Sequence, residues 1–171
     1  LGEKPFSALS DDPFQLAVID VGIFTHELMD LPVGSEVYVR GPHGIPVAPP
    51  EDAKIMAVAG GTGLAAVYQL ARDFGNAEVF TGARTAERLY YLEECQKIAQ
   101  VHVATDDGSA GYKGYNVPLL AEKMKEGMKI DCMYGCGPEM MLHAMMQLSE
   151  ETDVLAQLSL ERYMKCGFGV C

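Results

Sequence analysis

From Lys54 onward the chain repeats one unit: a short apolar run, a turn, then an amphipathic stretch. Residues 55–59 are apolar without a break, and Leu64, Val67, Tyr68, Leu70 and Ala71 follow at helical spacing. The unit recurs with apolar runs at 78–81, 101–104, 130–134 and 154–158. Helical patterns at 64–74, 86–98, 116–125 and 139–148 separate them. Strands that do not alternate in polarity are buried on both faces, and amphipathic helices between them cover those faces. The pattern predicts an α/β domain over residues 51–160, a five-stranded doubly wound parallel sheet.

Residues 1–50 have a different texture. Apolar side chains alternate over 14–20, residues 36–40 read as a short strand, and 25–31 form one or two helical turns ended by Pro32-Val33-Gly34. A proline-rich connector from Pro46 to Pro50 marks a domain boundary. No internal repeat or low-complexity tract interrupts either part.

In a doubly wound sheet, ligands bind beyond the C-terminal strand ends, where helix N-termini present free N–H groups. The first apolar run leads into Ala59-Gly60-Gly61-Thr62-Gly63-Leu64. Glycines there permit a tight turn and let a pyrophosphate approach the backbone; a plain structural turn is the alternative. The spacing is not G-x-G-x-x-G, and Thr81-Gly82-Ala83-Arg84-Thr85 replaces the acidic residue that commonly binds ribose. After the fourth run, Gly135 and Gly137 flank Cys136, and Pro138 suits a first helical position. This placement predicts an exposed Cys136 thiol at the same edge, against the alternative of a packed small residue. Asp106-Asp107-Gly108 follows the third run, either as a solvated turn or as part of the cleft. Cys95 and Cys132 read as core, and the methionines of 139–148 as packing.

The 171 residues carry 24 Asp+Glu against 13 Lys+Arg, a net charge of −11, which disfavours a nucleic-acid surface. No stretch of about 18 apolar residues predicts a membrane span, and no leader marks the chain for secretion. Five cysteines at uneven spacing argue against a disulfide framework and for a reducing, cytoplasmic compartment. His26, His43, His102 and His143 have no metal-ligand spacing. Cys166-Gly167-Phe168-Gly169-Val170-Cys171 is C-x4-C in a glycine-rich loop, matching the first half of a plant-type [2Fe–2S] pattern. A disulfide or two idle thiols are the alternatives.

These stretches together resemble the electron-transfer subunits of two-subunit, NAD-dependent dihydroorotate dehydrogenases, within the ferredoxin-NADP reductase superfamily. The most telling segment is Ser159-Leu160-Glu161-Arg162-Tyr163-Met164-Lys165-Cys166-Gly167. Gly82-Ala83-Arg84-Thr85, Thr105-Asp106-Asp107-Gly108-Ser109-Ala110-Gly111 and Cys136-Gly137-Pro138-Glu139 are similar to the family's nucleotide-domain motifs. The resemblance implies that Gly60, Gly61, Thr62 and Gly63 carry the NAD pyrophosphate. Arg84, Asp106, Cys136, Gly137 and Pro138 line the rest of that site, with Cys136 near nicotinamide and flavin. It implies that residues 1–50 are the C-terminal part of an antiparallel FAD-binding β-barrel. Lys4-Pro5-Phe6-Ser7 stands where the family has Arg-Pro-hydrophobic-Ser, and Lys keeps the charge without the bidentate fork. On the same resemblance, Lys4, Pro5 and Ser7 grip FAD, Gly22 and Thr25 form the turn at its pyrophosphate, and Gly41 and Gly44 belong to the barrel's closing loop. Residues 161–171 begin the [2Fe–2S] loop with Cys166 and Cys171 as ligands; two ligands cannot hold a cluster, so either more chain follows or this chain binds none, and in the family earlier barrel strands stand before the position of Leu1.

The implied activity is an electron relay from dihydroorotate, oxidised at FMN in a separate catalytic subunit, through [2Fe–2S] and FAD to NAD+, in pyrimidine biosynthesis. It implies a hetero-oligomer with no nucleic-acid or membrane partner. No second cation stands beside Arg84, so NADH is expected over NADPH. The alternatives are a reductase arm of a hydrogenase or of a ferredoxin:NAD(P) oxidoreductase, and a non-catalytic NADH-sensing module.

Overall fold

A computed structural model describes residues 3–160 of the chain. It opens with an antiparallel hairpin, β1 (Ala8–Asp11) and β2 (Phe14–Leu16), followed by α1 (Ile23–Met29). The alternation over 14–20 therefore yields only three paired residues, and β1 was not evident in the sequence. Residues 36–40 form no strand, and Tyr38 is 92% exposed. A strand is stable only when its backbone groups pair, and no described segment pairs with this one.

The parallel sheet consists of β3 (Ile55–Gly60), β4 (Ala77–Ala83), β5 (Gln100–Thr105), β6 (Tyr112–Lys113), β7 (Cys132–Cys136) and β8 (Leu155–Ser159), in the order β6-β5-β4-β3-β7-β8. The doubly wound parallel sheet is present as expected, with one strand more than the sequence pattern showed. β6 has two residues, too few to produce a hydrophobic run. The first strand lies in the middle. The chain moves outward through β4, β5 and β6, then returns to lay β7 on the other side of β3.

Helices α2 (Leu64–Phe74), α4 (Asn116–Lys125) and α5 (Glu139–Thr152) match the expected patterns. The pattern over 86–98 does not give one helix. It divides into a 3-10 turn (Ala86–Arg88) and the short α3 (Leu92–Gln96), with Tyr91 between them at φ 60°. A left-handed aromatic residue ends helical propagation, and burial of Cys95 anchors what remains.

The lack of alternation in β3 has a direct cause. Ile55, Ala57 and Ala59 pack with Leu64, Val67, Leu70 and Ala71 of α2, together with Val79, Cys95, Cys132 and Cys136. Met56 and Val58 point the other way, into Phe80, Ala104, Val117, Leu120, Met133, Leu142 and Met145. Both faces are dry, and truncating a side chain such as Phe80 would cost about 3–5 kcal/mol. Among the described residues up to 50, by contrast, Leu9 is the buried hydrophobic residue, while Val21, Ile23, Val33 and Ile45 are exposed.

Candidate functional site

The order of the strands creates the site. β3 pairs with β4 on one side and β7 on the other, with Ala59 opposite Cys136. The chain leaves these neighbouring strands toward opposite faces, so a crevice opens between the turns at their C-terminal ends. Gly60, Gly61 and Thr62 form one wall; Gly137, Pro138, Glu139 and Leu142 form the other, around a cavity of ≈ 340 Å³.

Two glycines give the cleft its shape for different reasons. Gly61 has φ 55°, and a Cβ built on it would meet nothing within 4 Å, so the missing side chain leaves open space in the cleft. Gly63 has an ordinary φ of −56°, yet a Cβ there would run into the Cys136 carbonyl. Gly61 keeps the cleft open, and Gly63 lets its two walls approach. Residues 61–63 form a 3-10 turn that continues into α2, so its unpaired N–H groups and dipole favour an anion at this end. Pro138 is the N-cap of α5, one position earlier than expected, and its carbonyl accepts hydrogen bonds from the Met141 and Leu142 amides at 2.9 and 3.1 Å.

Cys136 departs from expectation. It is 2% exposed, packed in the core between Ala59 and its neighbours, rather than presenting its thiol at the edge. The sequence placed it correctly at the strand end, but the closeness of the Gly63 turn covers it. Beside it, burial pushes the Tyr134 phenol above its usual pKa, and the hydrogen bond with the Ser159 hydroxyl offsets part of that rise.

Arg84 and Asp106 do not line this cleft. They are exposed on the next turns along the same edge, after β4 and β5. The Asp106 and Asp107 amides donate to the Ala83 and Arg84 carbonyls at 3.1 and 3.3 Å, joining the two turns. Ser109 donates through its hydroxyl and amide to Asp107 and holds that carboxyl below its usual pKa. The same hydroxyl oxygen accepts the Ala86 amide at 2.8 Å.

The three segments assigned to flavin come together at the other end of the chain. Phe6, inside Lys4-Pro5-Phe6-Ser7, meets Phe24 of α1 with ring centroids 6.2 Å apart. Glu3 bonds Arg40 at 2.6 Å, bringing the loop that holds Gly41 and Gly44 to the same segment. The Thr25 hydroxyl is fully occupied: its oxygen accepts the Val21 and Gly22 amides at 2.9 and 3.1 Å, and it donates to the Gly22 carbonyl. It shapes the Gly22 turn and has no donor to spare. Cys166 and Cys171 lie outside the described residues. Among the described residues no cluster of three His, Cys, Asp or Glu side chains could hold a metal, and no helix is long and apolar enough to cross a membrane.

Leu142 and Asn116 were not singled out from the sequence, Glu139 stood only as the end of the Cys136–Glu139 motif, and Met141 only among the packing methionines; Glu139 and Leu142 line the cleft, and Asn116 and Met141 lie beneath it.

A doubly wound sheet with a glycine-walled cleft at its switch point, preceded by a short antiparallel segment, is the architecture of a ferredoxin-reductase-type protein. The comparisons carry this further. A solved structure of an NADH-dependent reduced ferredoxin-NADP oxidoreductase superposes with a TM-score of 0.85 at 29% identity, covering 99% of this chain and 64% of that one. A Pyrococcus abyssi protein named "Probable dihydroorotate dehydrogenase B (NAD(+)), electron transfer subunit" is 40% identical over 174 residues, 100% of this chain and 67% of its own length. The Methanocaldococcus jannaschii protein of that name is 40% identical over 173 residues, 99% of this chain and 66% of its own. No family model matches. The chain belongs to the family of electron transfer subunits of dihydroorotate dehydrogenase B, and it spans about two thirds of the length of these relatives.

Proposed function

We propose that the chain is the nucleotide-binding part of an oxidoreductase subunit that passes electrons from dihydroorotate oxidation to NAD+ in pyrimidine biosynthesis. The observation that carries this reading is the Gly61 cradle: an open, left-handed glycine at the switch point, facing Gly137 across the cleft. Its backbone N–H groups would hold the pyrophosphate of NAD, and the wall from Gly137 to Glu139 would orient the rest. With a net charge of −11 against an anionic ligand, attraction must come locally, from N–H groups at the start of α2.

We assign residues 1–50 to part of the FAD-binding barrel and 51–160 to the NAD domain. Lys4, Pro5, Ser7, Gly22, Gly41 and Gly44 would hold FAD, with Thr25 shaping the Gly22 turn from within, on the convergence of their segments through Phe6–Phe24 and Glu3–Arg40. Residues 161–171 would begin the iron–sulfur loop, with Cys166 and Cys171 as ligands. When bound, the cluster handles single electrons and the flavin joins them to a two-electron hydride step. The chain's own residues position these groups: the glycine turns orient the nucleotide, and the core around Cys136 excludes water beneath it. An FMN-bearing catalytic subunit would be the electron donor, in a cytoplasmic hetero-oligomer.

The test is to express the intact protein with its FMN-bearing partner and measure dihydroorotate-dependent NAD+ reduction. A complex that oxidises dihydroorotate with artificial acceptors but never reduces NAD+ would defeat the assignment. A second reading, a reductase arm serving ferredoxin, is favoured by the TM-score of 0.85 to the ferredoxin-NADP oxidoreductase. It predicts NADH-linked ferredoxin reduction without any dihydroorotate-oxidising partner.

A further inference from the structure

Asn116 is a polar residue at the first position of α4, yet only 4% exposed. A buried carboxamide is tolerated when its hydrogen-bonding groups find partners. Its Nδ2 donates to the Ala59 carbonyl at 2.7 Å and reaches the Phe80 carbonyl at 3.5 Å and the Met141 thioether sulfur at 3.3 Å. Ala59 immediately precedes the Gly60 turn, Phe80 belongs to β4, and Met141 belongs to α5. One amide therefore ties the exit of β3 and the middle of β4 to the helix behind the opposite wall.

Met141 extends the tie. Its sulfur lies 3.1 Å from where a Cβ on Gly60 would stand, and its Cε 2.8 Å from where one on Gly137 would stand. A single side chain thus supports both glycine turns from below. We infer that Asn116 is a positioning residue that fixes the spacing of the two glycine walls, through Ala59 and Met141, and so sets the affinity for the nucleotide. This rests on the nucleotide reading above.

The chemistry of the site explains why an amide stands there. Ala59, Phe80 and Met141 all present acceptors, so the residue between them must donate. A carboxylate would oppose two carbonyl oxygens, whereas a protonated carboxyl has nearly the same shape and can donate one hydrogen bond. Ala59, Phe80, Gly82 and Met141, which pack on this side chain, carry no titratable group. Asn116→Asp is therefore an acid-rescuable variant.

The experiment measures NADH affinity of the intact protein by fluorescence between about pH 6 and about pH 8.5, where a buried carboxyl with a raised pKa changes state. Amide hydrogen exchange over residues 59–63 and 136–139 is followed without nucleotide and corrected for the intrinsic effect of pH. Asn116→Ala is expected to bind NADH about tenfold more weakly throughout, the loss of one buried hydrogen bond. Asn116→Asp should show about the same loss at high pH and recover to within about threefold at low pH, with protection of both turns returning in parallel. Met141→Leu keeps the volume, removes the sulfur acceptor and should weaken binding about two- to threefold, which covers an Asn116 variant that fails to fold. Affinity within about twofold of wild type in both Asn116 variants would overturn the inference, as would an Asp variant impaired equally at every pH. Wild-type protein that binds no NADH would refute the nucleotide reading. Exchange in the two turns that ignores the Asn116 variants would refute the positioning role whether or not NADH binds.

Discussion

The two glycines of the cleft make opposite demands, so their alanine variants should fail in opposite ways. At Gly61 the structure offers space but a left-handed backbone with φ 55°. An alanine there pays about 1–2 kcal/mol of backbone strain and meets no atom. For a chain of this size that corresponds to a fall in Tm of roughly 2–8 °C. Its methyl group, however, occupies the cradle. Displacing one charge-assisted hydrogen bond to a phosphate, about 1.5–3 kcal/mol, weakens NADH binding roughly ten- to hundredfold. At Gly63 the backbone is relaxed at φ −56°, but the new methyl collides with the Cys136 carbonyl. Backbone cannot yield as a side-chain tip can, so overpacking should reach the upper end of its usual range, about 3 kcal/mol or more. That is a Tm loss of roughly 6–12 °C or beyond. The assay pairs thermal unfolding with NADH titration at a temperature where each variant is folded. Gly61→Ala protein with wild-type affinity would refute the placement of the phosphate. A Gly63→Ala protein as stable as wild type would refute the close approach of the two walls.

Three further outcomes follow from charge and burial. Burial pushes the Glu78 carboxyl up, but hydrogen bonds from His102 at 2.8 Å and Lys54 at 2.9 Å outweigh it and hold its pKa below the usual 4.5. Its folded-state stabilisation is thus present above that value and lost as pH falls through the lowered pKa; Glu78→Gln should be less stable at neutral pH and flatten the acid limb of the unfolding curve. Cys95 is fully buried, and burial pushes its thiol up to about 11, so maleimide at about pH 8 should label it only after unfolding, read by peptide mass mapping. Arg72 of α2 donates to Asp11 at 2.7 Å and to Ser10 at 3.0 Å, an ion pair open to solvent. Arg72→Ala should speed proteolysis within residues 8–16, with wild type approaching the variant as salt rises; a salt-independent rate in wild type would exclude the ion pair as the cause.

What the sequence disclosed depended on how many residues spoke for each feature. The β3 to α2 unit is legible because five consecutive apolar residues, a glycine turn and a helical stripe agree, and each is explained by two dry faces. Gly60, Gly61 and Gly137 are legible for the same reason: their place between a strand and a helix fixes their edge. The 3-10 turn and α3 were misjudged because periodicity over 86–98 cannot see one left-handed tyrosine. Residues 36–40 have strand composition, but pairing is a tertiary property that no local pattern contains. Cys136 was placed at the right strand end and given the wrong exposure, because the approach of Gly63 is set by a residue more than 70 positions away. Asn116 and Met141 were hidden more deeply, since their role exists only where β3, β4 and α5 meet.

Helix α2 links the two ends of the molecule. Its first residue follows Gly63 directly, and Arg72, near its last turn, grips the β1–β2 hairpin. Eight residues separate Leu64 from Arg72, about 12 Å along a helix. The hairpin is therefore set against the glycine turn by a rod fixed at both ends. The fixings are unequal. Along its length α2 is buried through Leu64, Val67, Leu70 and Ala71, while the polar grip on the hairpin is an ion pair whose Asp11 side chain is 71% exposed. Packing of the first kind is nearly independent of salt, and pairing of the second is screened within about 10 Å at moderate ionic strength. Any change in the angle between the two parts should then arise at the hairpin and leave the nucleotide cleft intact.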